Sequence, residues 1–292
     1  PSNAGEADVK YVLKALATRA RSTAWAARSD GQDEGDGLRI LFYHRVSDDR
    51  DELAVSPRDF RRQMDYLATE SYRVVDVVEA AELLDKGVSC HRTVGLSFDD
   101  GFVDVAEQAH PLLAERGFRA TVFVAPAVVD GWASFGWYRS QPPVLGWDEI
   151  VDLDREGTLR FEAHSLTHPN LLSLRDAAAW EEISGSKLTL EEHLEREVLA
   201  FSYPSGLFGV RERGLVAAAG FHVAVSCEPG CNSRGTDRLA LRRRQIDRRD
   251  GLLDFRAKLG GGHDTPLPLR GVYRRRRYGM GAGSLRVASS RE

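Results

Sequence analysis

The chain predicts an α/β protein built around a parallel sheet, and three observations carry that expectation. From residue 38 onward, about seven short apolar runs are each followed by a helical pattern. Strand–helix alternation of this kind folds into parallel β/α architecture, either a barrel or a doubly wound sheet. Capping residues and glycines sit where those segments should start and stop. Residues capable of chemistry fall just past the apolar runs, at the edge where α/β proteins usually place their sites.

Taken in order, residues 5–37 read as a helical prelude and a linker. Val9, Leu13, Leu16 and Ala20 recur at helical spacing, and the Gly- and Asp-rich stretch at 29–37 breaks the pattern. The stripe predicts a helix that docks on the body. Its Lys and Arg side chains offer an acidic membrane surface as the alternative.

A buried strand is expected over 38–43, ending at His44. Ser56-Pro57 pairs a capping residue with a first-turn proline and opens a helix to about residue 70. A strand at 72–75 follows, then a helix capped by Asp76 and closed after Lys86 by Gly87. A strand at 93–98 leads to a helix over 103–116 ended by Gly117, and a Val- and Phe-rich strand covers 119–125. Residues 126–147 are irregular and aromatic, with Trp132, Phe135, Trp137, Tyr138 and Trp147. Such rings stack on sugars, and equally often form core or lid. Beyond them come a helix at 148–156, a strand ending in histidines, a helix at 175–195 and a strand at 198–203. A helix at 210–219, a strand at 221–226 and a last helix at 254–259 complete the pattern.

Arginines crowd residues 234–277, including Arg242-Arg243-Arg244 and Arg274–277. A basic run of this kind reads as solvated surface, with weak contact to an anionic polymer or membrane as the alternative. The division expected is 1–37 helix and linker, 38–269 α/β domain, and 270–292 basic tail.

Composition removes several classes. Forty basic and 44 acidic residues give a formal net charge of −4, which is no footprint for nucleic acid. No apolar segment approaches the roughly 20 residues of a membrane helix, and no signal-peptide pattern opens the chain. A cytoplasmic location is favoured, or an extracytoplasmic one if the N-terminus was trimmed. Cys90, Cys227 and Cys231 are too few for a disulfide framework. Cys227 and Cys231 flank a Pro-Gly turn, with a local disulfide or half a metal site as alternatives.

The chemistry concentrates in two motifs. Ser97-Phe98-Asp99-Asp100-Gly101 ends an apolar run with adjacent acids. Alone it is also a turn signal, but adjacent carboxylates repel, and a cation or an acid/base role would justify them. Sixty-four residues later His164-Ser165-Leu166-Thr167-His168 ends a second strand pattern. Alone it could be two surface histidines. A carboxylate with two imidazoles is a common ligand set for a catalytic divalent metal, zinc above all. His91, His110 and His193 fall in helices or loops without partners, His222 reads as core or rim, and His263-Asp264 follows three glycines in an expected loop.

These residues resemble a known family. Ser97–Gly101 and His164–His168 are similar to the first two motifs of the polysaccharide deacetylases, the carbohydrate esterases with a NodB homology domain. Phe201-Ser202-Tyr203-Pro204-Ser205-Gly206 resembles the third. Phe42-Tyr43-His44-Arg45-Val46 is similar to the branch acting on poly-N-acetylglucosamine and other exopolysaccharides.

The resemblance spans roughly residues 38–260 and implies a distorted (β/α)7 barrel. It implies a metal-dependent hydrolase of the N-acetyl amide of a sugar polymer, oligosaccharide or lipid-linked precursor. Asp99 would be the base, Asp100, His164 and His168 the ligands of a divalent ion (Zn2+, or Co2+ or Ni2+), and His44 the acid. Tyr203, Pro204 and Ser205 would line the substrate, with a backbone N–H near Ser205 holding the oxyanion. The chain departs from the pattern at Ser202, where many relatives carry the arginine that orients the base. It departs again at Ser205, where many carry tyrosine. No late His-Asp motif is evident. A hydrolase of small amides or cyclic imides and a non-catalytic carbohydrate binder are the competing readings.

Overall fold

The structure is a computed structural model that describes residues 3–27 and 37–264, and for residues 3–10 the backbone alone. The expected tail 270–292 and most of the expected linker lie outside the described residues.

The elements run α1 (Asn3–Ala26), β1 (Arg39–Tyr43), the short strands β2 (Arg45–Val46) and β3 (Ala54–Val55), α2 (Pro57–Thr69), β4 (Arg73–Val75), α3 (Val77–Lys86) and β5 (Thr93–Asp99). A π-helical stretch (Val105–Ala109) then leads into α4 (His110–Glu115), followed by β6 (Ala120–Val124), α5 (Pro126–Val129), α6 (Trp147–Glu156) and β7 (Leu159–Ala163). The chain ends with α7 (Asp176–Leu194), β8 (Ala200–Ser202), α8 (Val210–Ala218), β9 (Val223–Val225), β10 (Arg244–Gln245) and α9 (Leu252–Leu259).

Seven parallel strands form one path, β10-β1-β5-β6-β7-β8-β9, and β4 lies beside the first half of β5 as an eighth. The sheet curls until its ends meet. Leu241 bridges Val225 of β9, and four residues on Gln245 of β10 pairs with Phe42 of β1. Residues 241–245 are therefore a seam that touches both edges. Amides commit on each side: Ser226 donates to the Leu241 carbonyl at 2.8 Å, and Ile246 donates to the Phe42 carbonyl at 2.9 Å. The expected distorted (β/α)7 barrel is the observed fold.

Local signals explain the elements. The Ser56 hydroxyl accepts the Asp59 amide at 3.1 Å, and Asp76 accepts the Glu79 amide at 2.9 Å. Each such cap is worth about 1 kcal/mol. Gly87 ends α3 with φ 63°, a conformation that glycine adopts without strain. Inside, Tyr43 meets Phe60 edge-on at 5.3 Å and Phe98 at 5.5 Å. The Tyr43 hydroxyl donates to Gln63 Oε1 at 2.8 Å, and Gln63 donates in turn to the Asp250 carbonyl at 2.8 Å. That chain ties β1 through α2 to the loop after β10.

Three sequence expectations change. The helix over 103–116 is two pieces, because Pro111 has no N–H to give to the Glu107 carbonyl and the turn before it widens. The 242–244 run is not solvated surface: Arg243 is fully buried and Arg244 nearly so, while Arg242 is exposed. His110 and His193 have partners, the first 2.6 Å from Glu156 and the second stacked on Trp147 at 3.7 Å between ring centres. Cys227 and Cys231 form no disulfide, in keeping with two thiols flanking a turn.

The prelude does form a helix and does dock, but with a different face. Leu13 and Leu16 are about 60% exposed. Contact runs instead along a mixed polar face. Ser22 is fully buried with its hydroxyl 3.0 Å from His263 Nε2, and Arg21 Nε donates to the Gly262 carbonyl at 3.0 Å. The Trp25 ring lies over Gly260 and Gly262, where any Cβ would collide with it. The Gly-Gly-Gly stretch is thus a docking surface.

Trp25→Ala is expected to lower stability by about 1–3 kcal/mol in urea unfolding and to make α1 sensitive to limited proteolysis. An unchanged midpoint and cleavage pattern would show that α1 is not held this way.

Candidate active site

The strand ends converge on one spot. β5 ends in Asp99 and Asp100, β7 leads into His164, β8 ends in Ser202, and β1 runs into His44. Because all these strands are parallel, their C-terminal ends share one edge of the barrel.

His164 is set by its neighbours. Its amide donates to the Val124 carbonyl at 2.9 Å, and its Nδ1 lies 2.7 Å from the Ser202 carbonyl. A carbonyl only accepts, so Nδ1 carries the proton and Nε2 keeps a free lone pair. One residue before β7 ends, buried Glu162 accepts the amides of Leu199 and Ala200 at 2.7 and 2.6 Å, which locks β7 against β8.

The loop to His168 is pinned as well. Glu182 of α7 accepts the Thr167 amide at 2.9 Å and the Thr167 hydroxyl at 2.6 Å, and the Ser165 hydroxyl accepts the His168 amide at 3.1 Å. Gly185 in α7 makes room for Leu166, which a Cβ there would strike. Asp100, Ser165, His168 and Ser205 all have φ between 54° and 76°. Left-handed backbone at non-glycine residues costs energy and clusters where a site demands it.

The result is a three-residue ligand set. His164 Nε2 is 3.7 Å and His168 Nε2 4.0 Å from Asp100 Oδ1. Ligand atoms each about 2.1 Å from a shared ion lie roughly 3–4 Å apart, so the spacing fits. Both Asp100 oxygens are buried without a hydrogen-bond partner. Burial first, and then the charge of Asp99, push the Asp100 carboxyl well above the usual range. A divalent cation would reverse that by giving the charge a partner. Burial also lowers both histidines, His168 strongly, so both rings are neutral and able to coordinate. Among the described residues this is the one such cluster of His, Cys, Asp and Glu; the alternative of Cys227 and Cys231 as half a metal site finds no support there.

Asp99 is held differently. Arg243 reaches in from the seam and donates from Nη1 to Asp99 Oδ1 at 2.7 Å and from Nη2 to Oδ2 at 2.8 Å. Its other donors go to Ser97 Oγ at 3.2 Å, Ser202 Oγ at 2.9 Å and the Ser226 carbonyl at 3.1 Å. The guanidinium lies 4.3 Å over the Phe42 ring. Burial alone would raise the Asp99 carboxyl, but the Arg243 charge, His164 and the paired hydrogen bonds outweigh it and hold it at about 2. Arg243 thus supplies the arginine that Ser202 replaces, and the small Ser202 hydroxyl binds it. Sequence reasoning missed it, because one arginine of a basic triplet carries no mark of pointing inward.

The other expected residues fall less evenly. His44 is half-buried at the same edge, its Nδ1 has no hydrogen-bond partner, and burial lowers it to about 4. Tyr203 is buried, stacks on Phe208 at 4.3 Å and donates its hydroxyl to the Leu239 carbonyl at 2.9 Å. Its amide and those of Gly206 and Leu207 already donate to backbone carbonyls, and Pro204 has none. Ser205 itself is exposed, with φ 54°. His263 and Asp264 lie elsewhere, bound to Ser22 and to Arg39 and Arg244. The aromatic insertion divides: Phe135 is core, and Trp137, half exposed, stacks on it and meets His168 edge-on at 4.9 Å.

With this geometry in view, the family model for polysaccharide deacetylase matches residues 86–224. The matched stretch is just under half of the chain. Asp99, Asp100, His164 and His168 lie inside the matched stretch, while His44 and Arg243 lie outside it. The chain is 26% identical to the polysaccharide deacetylase candidate YxkH of Bacillus subtilis, over 72% of this chain and 71% of that one. It is 21% identical to poly-β-1,6-N-acetyl-D-glucosamine N-deacetylase of Staphylococcus aureus, over 65% of this chain and 66% of the relative. In fold it resembles IcaB from Ammonifex degensii (TM-score 0.67, 24% identity, 79% of this chain and 98% of that one). It also resembles the Streptococcus pyogenes deacetylase PplD (TM-score 0.64, 22% identity, 72% and 92%). No helix among the described residues is long and apolar enough to cross a membrane.

Arg243→Met would leave a buried, unpaired Asp99 carboxylate, and is expected to cost about 3–5 kcal/mol in chemical denaturation. Adding Asp99→Asn removes that charge and should recover part of the loss. Equal stability of parent and Arg243→Met would refute the pairing.

Proposed function

We propose that the protein is a metal-dependent N-deacetylase that releases acetate from an N-acetylated sugar, in an exopolysaccharide, an oligosaccharide or a lipid-linked precursor. The observation carrying this is one geometry: a buried Asp100-His164-His168 ligand set beside an Asp99 held ionised by Arg243. The match to the polysaccharide deacetylase family supports it. The substrate class also follows the name of the Staphylococcus relative.

Asp100, His164 and His168 would hold the ion, which by donor type is Zn2+, with Co2+ or Ni2+ also suited. When bound, a divalent cation polarises the acetamide carbonyl and makes water more acidic. Asp99 is the base. With a pKa held near 2 it has low proton affinity, so it accepts a proton only from water that has been made acidic. The bidentate Arg243 fixes the carboxylate plane, so the proton is taken at a defined place. A backbone N–H near Ser205 would donate to the oxyanion.

His44 would give the departing amine its proton. Its ring is neutral near pH 7, so that proton must arrive during turnover rather than be stored beforehand. The Trp137 face, half exposed beside His168, offers a stacking wall for a sugar ring.

Purified protein is expected to contain one divalent ion and to release acetate from N-acetylglucosamine oligomers. Chelation should abolish this, and zinc should restore it. Asp99→Asn should keep the ion and lose at least about a hundredfold in kcat, while Asp100→Asn should lose the ion itself. No acetate from any N-acetyl sugar by the metal-loaded protein would reject the reading. His44→Ala should slow amide hydrolysis far more than hydrolysis of an activated aryl acetate, whose leaving group needs no proton. Equal slowing would remove His44 from the acid role.

A further inference from the structure

A second concave site lies at the same edge of the barrel. A cavity of about 550 Å3, open to solvent, is lined by Arg19, Arg62, Arg248, Arg249 and Arg256 together with Asp59, Gly251, Leu252 and Leu253. It sits past the C-terminal end of β10, between the start of α2, the start of α9 and the flank of α1. β10 pairs with β1, the strand that runs into His44.

The charges around it do not cancel. Asp254 is 2.8 Å from Arg19, Asp247 binds Arg249, and Asp59 is 3.8 Å from Arg62. The two other nearby carboxylates are taken by lysines, Glu52 by Lys14 and Asp250 by Lys258. Arg248 and Arg256 have no carboxylate within ion-pair distance among the described residues. Each instead rests on a ring, Arg248 over Tyr11 at 5.5 Å and Arg256 over Tyr66 at 5.2 Å. A guanidinium lying on a ring uses its face and keeps its N–H edge for another partner. The α9 N-terminus adds to the field, since Gly251 at its cap has no side chain to close it.

We propose that this cavity binds a phosphate or diphosphate group carried on a glycan or on a membrane lipid. Two surplus guanidinium groups match the charge of a phosphate dianion, which carries about −1.5 to −2 at neutral pH. Planar N–H forks suit its oxygens. The volume exceeds what one small ion needs and leaves room for the group to which the phosphate is attached. Such a site would hold a phosphorylated substrate or surface near the ligand set without taking part in hydrolysis.

The test titrates the full chain with inorganic diphosphate by calorimetry, and separately measures co-sedimentation with phosphatidylglycerol and phosphatidylcholine vesicles. Saturable binding of diphosphate at one site is expected. Arg248→Gln with Arg256→Gln should weaken it by at least about tenfold while the unfolding midpoint holds. If that pair fails to fold, the exposed single change Arg248→Glu gives the same reading. Added salt should weaken binding as well. Sedimentation with the anionic vesicles alone, lost in the variant, would identify a lipid headgroup as the source. Diphosphate binding without sedimentation would identify a glycan phosphate. Absence of saturable binding to either probe, or binding that the variants leave unchanged, overturns the proposal.

Discussion

The Arg243–Asp99 pair is the interaction on which this molecule turns. A guanidinium with no exposure spans the inside of the barrel and donates to Asp99, Ser97, Ser202 and the Ser226 carbonyl. Those partners belong to β5, β8 and the end of β9, while Arg243 itself rides on the seam beside β10. One side chain therefore joins the strands that carry the chemistry to the segment that closes the sheet. A buried charge pair is weak evidence of net stability. Its worth here is placement, because a barrel that closed in another register would leave both charges buried and alone.

The same pair divides two adjacent carboxylates into different chemical species. Asp99 has its cation built in and stays ionised. Asp100, next in sequence, has none among the protein's own groups, and both its oxygens are buried without partners. Two neutral imidazoles face it. A donor set that is costly to bury without a cation thus stands next to a carboxylate already satisfied, and environment rather than residue type sets the two acids apart.

Rigidity around this centre comes from many small commitments. Glu182 and Gly185 of α7 fix the His168 loop, Glu162 fixes the β7–β8 step, and the Ser202 carbonyl fixes the His164 tautomer. The aromatic insertion is tied across the edge by the Tyr138 hydroxyl, which donates to Asp51 at 2.7 Å, and Asp51 is in turn 3.3 Å from Arg45. Trp137 is thereby carried to His168. Left-handed backbone at four residues of this rim is the local cost that these contacts offset.

The sequence by itself determined the β/α order, the caps at Ser56, Asp76 and Gly87, and the strand-end motifs whose Asp100, His164 and His168 the fold brings together. These are local signals: a period, a cap or a motif at a strand end is written in neighbouring residues. Tertiary structure alone decided that Arg243 and not Arg242 turns inward, 144 residues from the carboxylate it binds. It decided that α1 docks through Ser22 and Trp25 rather than its leucine stripe, and that the Tyr203 hydroxyl is spent on Leu239. It also decided that Pro111 splits a helix the periodicity joined. The physical reason is common to the first three: which face of an element is buried depends on what the rest of the chain brings against it. No spacing within the element records that partner.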